Sequence, residues 1–228
     1  MRRTDKFGTL TLVAATLMTA PAVAASNGAP PTLPAIFPAP TSITLGNGSF
    51  PLGKTVVLIA APGTDAATIA LTRDILLASG VVKVTTAKRL PSHPEGTHIL
   101  IGAGSAPLIR TTLARSATVV DDHVEGYTIA STPIDGGGII TLAGHDADGL
   151  FHAVQSFRQL AKRPVFPAMV IQDHPAMPIR GTIEGFYGKP WSMADRTKHL
   201  DFLATVKANT YVYSPKDDPF ARDRWREA

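Results

Sequence analysis

Two short stretches near the end of the chain hold the residues best suited to chemistry. The first, Glu184-Gly185-Phe186-Tyr187-Gly188 followed by Lys189-Pro190-Trp191, sets large aromatic rings between glycines. The second, Ser214-Pro215-Lys216-Asp217-Asp218-Pro219, joins a lysine to two adjacent carboxylates. A plain turn prefers small polar residues, so rings held there have some use. Gly185 would let a ligand touch backbone, because no Cβ stands in the way. Phe186 and Tyr187 would wall a pocket and offer apolar faces to a polyol ring. Lys216 adds a point-charge donor that reaches hydroxyls. Read from residues alone, the first stretch serves equally as a strand-end turn with its rings in the core, and Lys216-Asp217-Asp218 as a solvated loop. Asp217 and Asp218 invite comparison with the carboxylate pairs of hydrolases. Adjacent residues at a strand end point opposite ways, so their spacing argues against a pair without closing the question.

The elements around these stretches form a β-α-β pattern. Arg180 to Phe186 reads as a strand. Ser192, with Asp195 three residues on, reads as a helix N-cap. Leu200, Leu203 and the stem of Lys207 give the helix an apolar stripe, and Asn209 can end it. Thr210 to Ser214 is the next strand. This is the repeating unit of a parallel sheet or a (β/α)8 barrel, in which both loops emerge at the C-terminal ends of adjacent strands, the face that holds barrel active sites. A whole barrel takes about 250 residues, and only about 50 follow Pro178, so this is either a small appended βαβ or the first βαβ of a barrel cut short.

Upstream, the chain alternates strands and helices from Thr41. Thr55–Ala60 and His98–Ala103 are short apolar runs typical of buried strands, and Val81–Ala87 alternates as a half-buried strand does. A helix capped by Thr64 runs to Ser79, with Ile69, the stem of Arg73 and Leu76 on one face and Gly80 as the stop. Two strands flank the glycine-rich turn 133–138 as a hairpin. A helix from Asp146 to about Ala161 carries Leu150, Val154, Phe157 and Ala161 at helical spacing, and Met169–Asp173 is a closing strand. The expected fold is α/β: a small N-terminal α/β domain over 41–175, then the barrel start over 179–228.

The first 25 residues have a basic start, an apolar run broken by Pro21, and a small-residue Ala22-Val23-Ala24 pattern. The run is short for a span of about 20 residues, so it reads as a cleaved secretory signal, and the chain as secreted or periplasmic. Residues 26–40, rich in Ala and Pro, read as a linker. Half of the formal charge of +4 lies in that signal. What is left is too small to argue for nucleic acid or an anionic membrane. With no cysteine among the 228 residues, there is no disulfide framework, thiolate nucleophile or thiolate metal site. Histidine spacing shows no metal motif, His145 and His152 included. Gly102-Ala103-Gly104 reads as a tight turn, lacking the third glycine and acidic partner of a dinucleotide site. No cofactor is expected.

The motifs RGTIEGFYGKPWS and NTYVYSPKDDPFARDRWRE, in this order and spacing, resemble the opening of the catalytic barrel of family 84 glycoside hydrolases, the β-N-acetylglucosaminidases that include O-GlcNAcase. The preceding unit resembles the small α/β domain found before the barrel in families 84 and 20, with GHDADGLFHAVQSFRQL as the weaker part of the match. The resemblance implies N-acetylglucosamine-containing glycans as substrates. It also implies a retaining mechanism in which the substrate's own acetamido oxygen attacks the anomeric carbon to give an oxazoline, while one aspartate orients the acetamide and its neighbour protonates the leaving oxygen. Carried over by position, Gly185 would meet the sugar through its carbonyl, with Phe186 and Tyr187 beside it, and Lys216 would bond a hydroxyl. Asp217 and Asp218 match a motif that is not the family's acid pair. That pair is expected beyond residue 228, so this chain is expected to be an N-terminal fragment of the enzyme, or a non-catalytic glycan-binding or interaction module derived from one. Ser214 stands where the family usually has Ala.

Overall fold

A computed structural model describes residues 35–185 and 190–213. Its frame is a seven-stranded mixed sheet in the order β1-β7-β5-β6-β4-β2-β3. The strands are β1 (Ser42–Phe50), β2 (Thr55–Ala60), β3 (Lys83–Thr86), β4 (Thr97–Ala103), β5 (Tyr127–Ile134), β6 (Gly137–Gly144) and β7 (Phe166–Asp173). The edge carrying β3, β2, β4 and β6 is parallel, and β6, β5, β7 and β1 follow antiparallel. β5 and β6 form the expected hairpin, with pairing down to Ile134 opposite Gly137 and a two-residue Asp135-Gly136 turn. Gly136 sits at φ 71°, a conformation glycine adopts without steric cost.

The apolar runs of β2 and β4 are buried on both sides because helices cover both faces of the sheet. Leu58, Ile99 and Ile101 share one cluster with Ile75 and Leu76 of α1 (Ala66–Ala78) and with Leu150, Val154 and Phe157 of α3 (Ala147–Leu160). Ile59 and Leu100, one residue out of phase, join Ile109 and Leu113 of α2 (Pro107–Arg115) on the other face. α3 therefore matches its sequence pattern: Leu150, Val154, Phe157 and Ala161 are all buried.

The structure corrects several local expectations. α1 is capped by Asp65, which accepts from the Thr68 N–H at 2.8 Å, while the Thr64 hydroxyl donates to the Ala61 carbonyl. Its buried face is Thr68, Thr72, Ile75 and Leu76, and Arg73 is exposed, its guanidinium donating to the Val84 carbonyl. The end of the Pro/Ala-rich stretch is docked. Ile36 is buried, and Phe37 exchanges two backbone-to-side-chain bonds with Gln159. β1 and α2 carry no strong local signal and are additions to the expected elements.

After β7 the chain crosses to a βαβ unit: β8 (Gly181–Glu184), α4 (Met193–Thr205) and β9 (Thr210–Tyr213). β8 and β9 are parallel, with Gly181 opposite Thr210 and Glu184 opposite Tyr213. A Cβ on Gly181 would lie 1.6 Å from the Thr210 carbonyl oxygen, so the pairing depends on a bare α-carbon. Ser192 caps α4 as expected, accepting from the Asp195 N–H and donating its hydroxyl to the Asp195 carboxylate. The stripe proposed for α4 is only partly buried: Leu203 is covered, and Leu200 remains 46% exposed. Two strands cannot cover both sides of the helix, which leaves Leu200 and Phe202 outward. The helix stops at Thr205, earlier than Asn209. Lys207 takes the left-handed conformation at φ 61°, and the Ala208 N–H returns to the Leu203 carbonyl. This is the hydrogen-bonding pattern of a Schellman stop, a position usually given to glycine.

Candidate functional site

The end of β8 is organised around Glu184, a side chain the sequence reading left without a role. Its carboxylate is 1% exposed. It accepts from Arg196 Nε at 2.6 Å and Nη2 at 2.9 Å, from the Trp191 backbone N–H at 2.8 Å, and from the Tyr211 hydroxyl. A carboxylate offers about four acceptor positions, and four donors fill them. Arg196 comes from α4, Trp191 from the returning loop and Tyr211 from β9, so a single side chain ties the unit's helix, loop and second strand to β8. The Arg196 guanidinium also lies 4.6 Å from the centre of the Tyr213 ring. Hydrogen bonds from Arg196, with those of Tyr211 and Trp191, hold the Glu184 carboxyl down to about 2 against the opposing effect of its burial. Burial and the neighbouring Glu184 push the Tyr211 hydroxyl up. Ionised and saturated, Glu184 has no free lone pair for proton transfer. Its role is to position the strand end.

Beside it, His199 Nε2 and the Thr182 hydroxyl lie 2.7 Å apart, and the Trp191 ring meets His199 edge-on at 5.1 Å. Trp191, Asp195, Lys198 and His199 line an open depression on this side of α4.

Of the four residues the sequence singled out, Gly185 follows β8 directly and is exposed. Phe186, Tyr187 and Lys216 lie outside the described residues, as do Asp217 and Asp218. The chain leaves β8 and β9 at the paired residues Glu184 and Tyr213, so both candidate loops depart from the C-terminal end of one parallel strand pair.

The opposite end of the unit is clasped to the seven-stranded sheet. Arg180 pairs with Glu125, and Asn209 donates both to Glu125 and to the Pro178 carbonyl. Lys207 Nζ donates to the Tyr127 hydroxyl at 2.8 Å and to Asp173 Oδ2 at 3.0 Å. Because the Tyr127 proton goes to Asp173 at 2.8 Å, the Ser156 hydroxyl at 2.7 Å is the donor to Tyr127. The Thr41 backbone N–H and hydroxyl occupy Asp173 Oδ1. Burial pushes the Lys207 ammonium down while Asp173 works against that, and burial together with Asp173 pushes the Tyr127 hydroxyl well up. A cavity of about 330 Å³ lies here, bounded by Tyr127, Asp173, His174, Met177, Arg180 and Lys207 among others. Its charged residues are already paired, and the arrangement serves to fix the βαβ unit rather than to carry out chemistry.

Comparison with known proteins gives this geometry a context. Residues 33–174 match the family model described as glycosyl hydrolase family 20, domain 2. Residues 180–228 match the model described as beta-N-acetylglucosaminidase. Protein O-GlcNAcase of Rattus norvegicus is 49% identical over 47 residues, which are 21% of this chain and 5% of that protein. Among solved structures, CpGH84D superposes with a TM-score of 0.72 at 25% identity, over 82% of this chain and 32% of that one. CpGH84B gives 0.67 at 27%, over 84% of this chain and 32% of that one. The chain thus spans about a third of those solved chains, and its match to the curated relative is a small part of that protein. With more than half of its length matched to the first model, the chain belongs to the glycosyl hydrolase family 20 domain 2 family, and with the βαβ unit attached it is a family-84-like N-terminal portion, a relative of the β-N-acetylglucosaminidases.

Proposed function

We propose that this chain is the N-terminal portion of an exported β-N-acetylglucosaminidase that removes terminal β-linked N-acetylglucosamine with retention, through an oxazoline formed by the substrate's own acetamido group. The observation that carries the reading is the parallel β8–β9 pair whose ends, Glu184 and Tyr213, lie opposite each other and launch both motif loops from one edge. In a (β/α)8 barrel that edge is the catalytic face. Gly185 would present its backbone to the sugar, Phe186 and Tyr187 would flank it, and Lys216 would hold a hydroxyl. The acid and the acetamide-orienting residue belong to later strands. Supporting this division is the extent of the similarity, which covers about a third of the solved family-84 chains. Export rests on the basic, apolar and small-residue pattern of residues 1–25.

The test is hydrolysis of an aryl β-N-acetylglucosaminide by this chain beside a chain extended by the sequence that follows in its gene. Turnover in the extended chain alone, lost by at least about tenfold on Lys216→Ala, is the expected result. Turnover by the 228-residue chain would place the acid within it and overturn the assignment. Glycan binding without turnover in either chain would favour a non-catalytic module.

A further inference from the structure

Asp121 and His123 lie in the segment between α2 and β5, and His174 directly follows β7. β5 and β7 pair antiparallel with Tyr127 opposite Asp173, so the chain entering β5 and the chain leaving β7 meet at one edge of the sheet. There the two imidazoles converge on one carboxylate. Asp121 Oδ1 is 2.8 Å from His123 Nδ1, and Oδ2 is 3.1 Å from His174 Nδ1. The rings stack at 3.7 Å with 18° between their planes. The three ligand atoms all lie within 4.8 Å of one another.

We propose that Asp121, His123 and His174 form a structural site for a borderline-soft divalent cation, with Zn²⁺ as its representative. Two imidazole nitrogens and one carboxylate oxygen suit zinc and the later first-row divalent metals, whereas Mg²⁺ and Ca²⁺ demand oxygen ligands. Bonds of 2.0–2.2 Å to a tetrahedral ion place donor atoms about 3.3 Å apart, close to the two separations above. The carboxylate is set in place beforehand. Asp121 Oδ1 accepts the His123 backbone N–H at 3.1 Å, and the Asp121 N–H donates to the Thr128 hydroxyl at 2.9 Å. His123 is exposed, which leaves a position for water. In the free site the Nδ1 proton of each ring bonds the carboxylate, and metal binding takes the other tautomer, with the proton on Nε2 and the Nδ1 lone pair on the ion.

The site ties the segment that carries Glu125 to the connector that carries Arg180. A bound ion would therefore brace the clasp through which the sheet holds the βαβ unit.

The experiment is calorimetric titration of the untagged, metal-stripped chain with ZnCl2 at neutral pH, beside MgCl2, with Co²⁺ absorption spectroscopy on the same samples. The expected result is one Zn²⁺ per chain, no uptake of Mg²⁺, and a visible Co²⁺ spectrum. Affinity should fall by at least about tenfold in His123→Ala and in His174→Ala, and the Co²⁺ spectrum should be lost in both. The exposed ring of His123 makes its variant safe for folding, and circular dichroism verifies this. Absence of Zn²⁺ uptake at millimolar concentration, or uptake unchanged in both variants, overturns the proposal.

Discussion

Lys207, at the turn after α4, reaches back to Asp173 at the end of β7, and the two charged groups meet 3.0 Å apart with almost no exposure to solvent. The pair joins the βαβ unit to the larger sheet, and Tyr127 completes it from β5. Taking two charges out of water is costly, and such a pair persists only when its remaining hydrogen-bonding positions are met. Here Thr41 and Tyr127 donate to Asp173, and Tyr127, itself accepting from Ser156, accepts from Lys207.

Removing one member should therefore cost more than removing both. Lys207→Met leaves the Asp173 carboxylate buried beside Tyr127, and should lower the unfolding free energy by about 3 kcal/mol. Lys207→Met combined with Asp173→Asn should recover a substantial part. Urea unfolding of the three chains measures this, and a single-variant loss under about 1 kcal/mol would mean that the pair contributes little.

Glu184 predicts a pH dependence. Its folded pKa is depressed to about 2, so its contribution is complete above the unfolded carboxyl range, near 4.5, and is lost as pH falls toward 2. Thermal melts should shift downward through that interval, and Glu184→Gln should flatten the shift while lowering stability at neutral pH. Equal acid sensitivity in the two chains would remove Glu184 as its source.

Asp146 holds two segments at once. Oδ1 accepts the Gly149 N–H at the start of α3, and Oδ2 accepts the Glu125 N–H at 2.9 Å. Asp146→Ala should cost about 1–2 kcal/mol, the upper part of the range for helix N-caps. Asp65→Ala removes a cap that serves α1 alone and should cost less. Chemical denaturation of both variants ranks them.

Gly181 tests the strand pair directly. In Gly181→Ala the new methyl would meet the Thr210 carbonyl, forcing β8 and β9 apart at a cost of about 3 kcal/mol or more. Hydrogen exchange should show lost protection at 181–184 and 210–213, with the seven-stranded sheet unchanged. Unchanged exchange at β9 would show that the backbone can absorb the methyl.

Much of the fold was legible because its signals are local. The buried runs of β2 and β4, the hairpin turn at Asp135-Gly136 and the apolar periodicity of α3 each lie within one stretch of chain. β1 gave no such signal: SITLGNGSF contains two glycines, and only Phe50 within it is buried. It is a strand because β7 offers an edge. α2 begins at Pro107 after Ala106, with no side-chain cap, and its burial depends on the sheet face it covers. The Glu-Gly-Phe-Tyr-Gly motif begins at the last residue of β8, and the local anchor there is Glu184. Its donors lie 7, 12 and 27 residues away.

The sequence by itself determined the order of the elements with local signals, the parallel character of the closing βαβ unit and the family it resembles, because periodicity, capping and motif spacing are properties of contiguous residues. Only the tertiary structure decided which polar groups meet. Tyr127, Asp173 and Lys207 are separated by 34 to 80 residues, and Asp121 and His174 by 53. Such pairs come together through strand order and register, which depend on the packing of the whole sheet and leave no mark in the spacing along the chain.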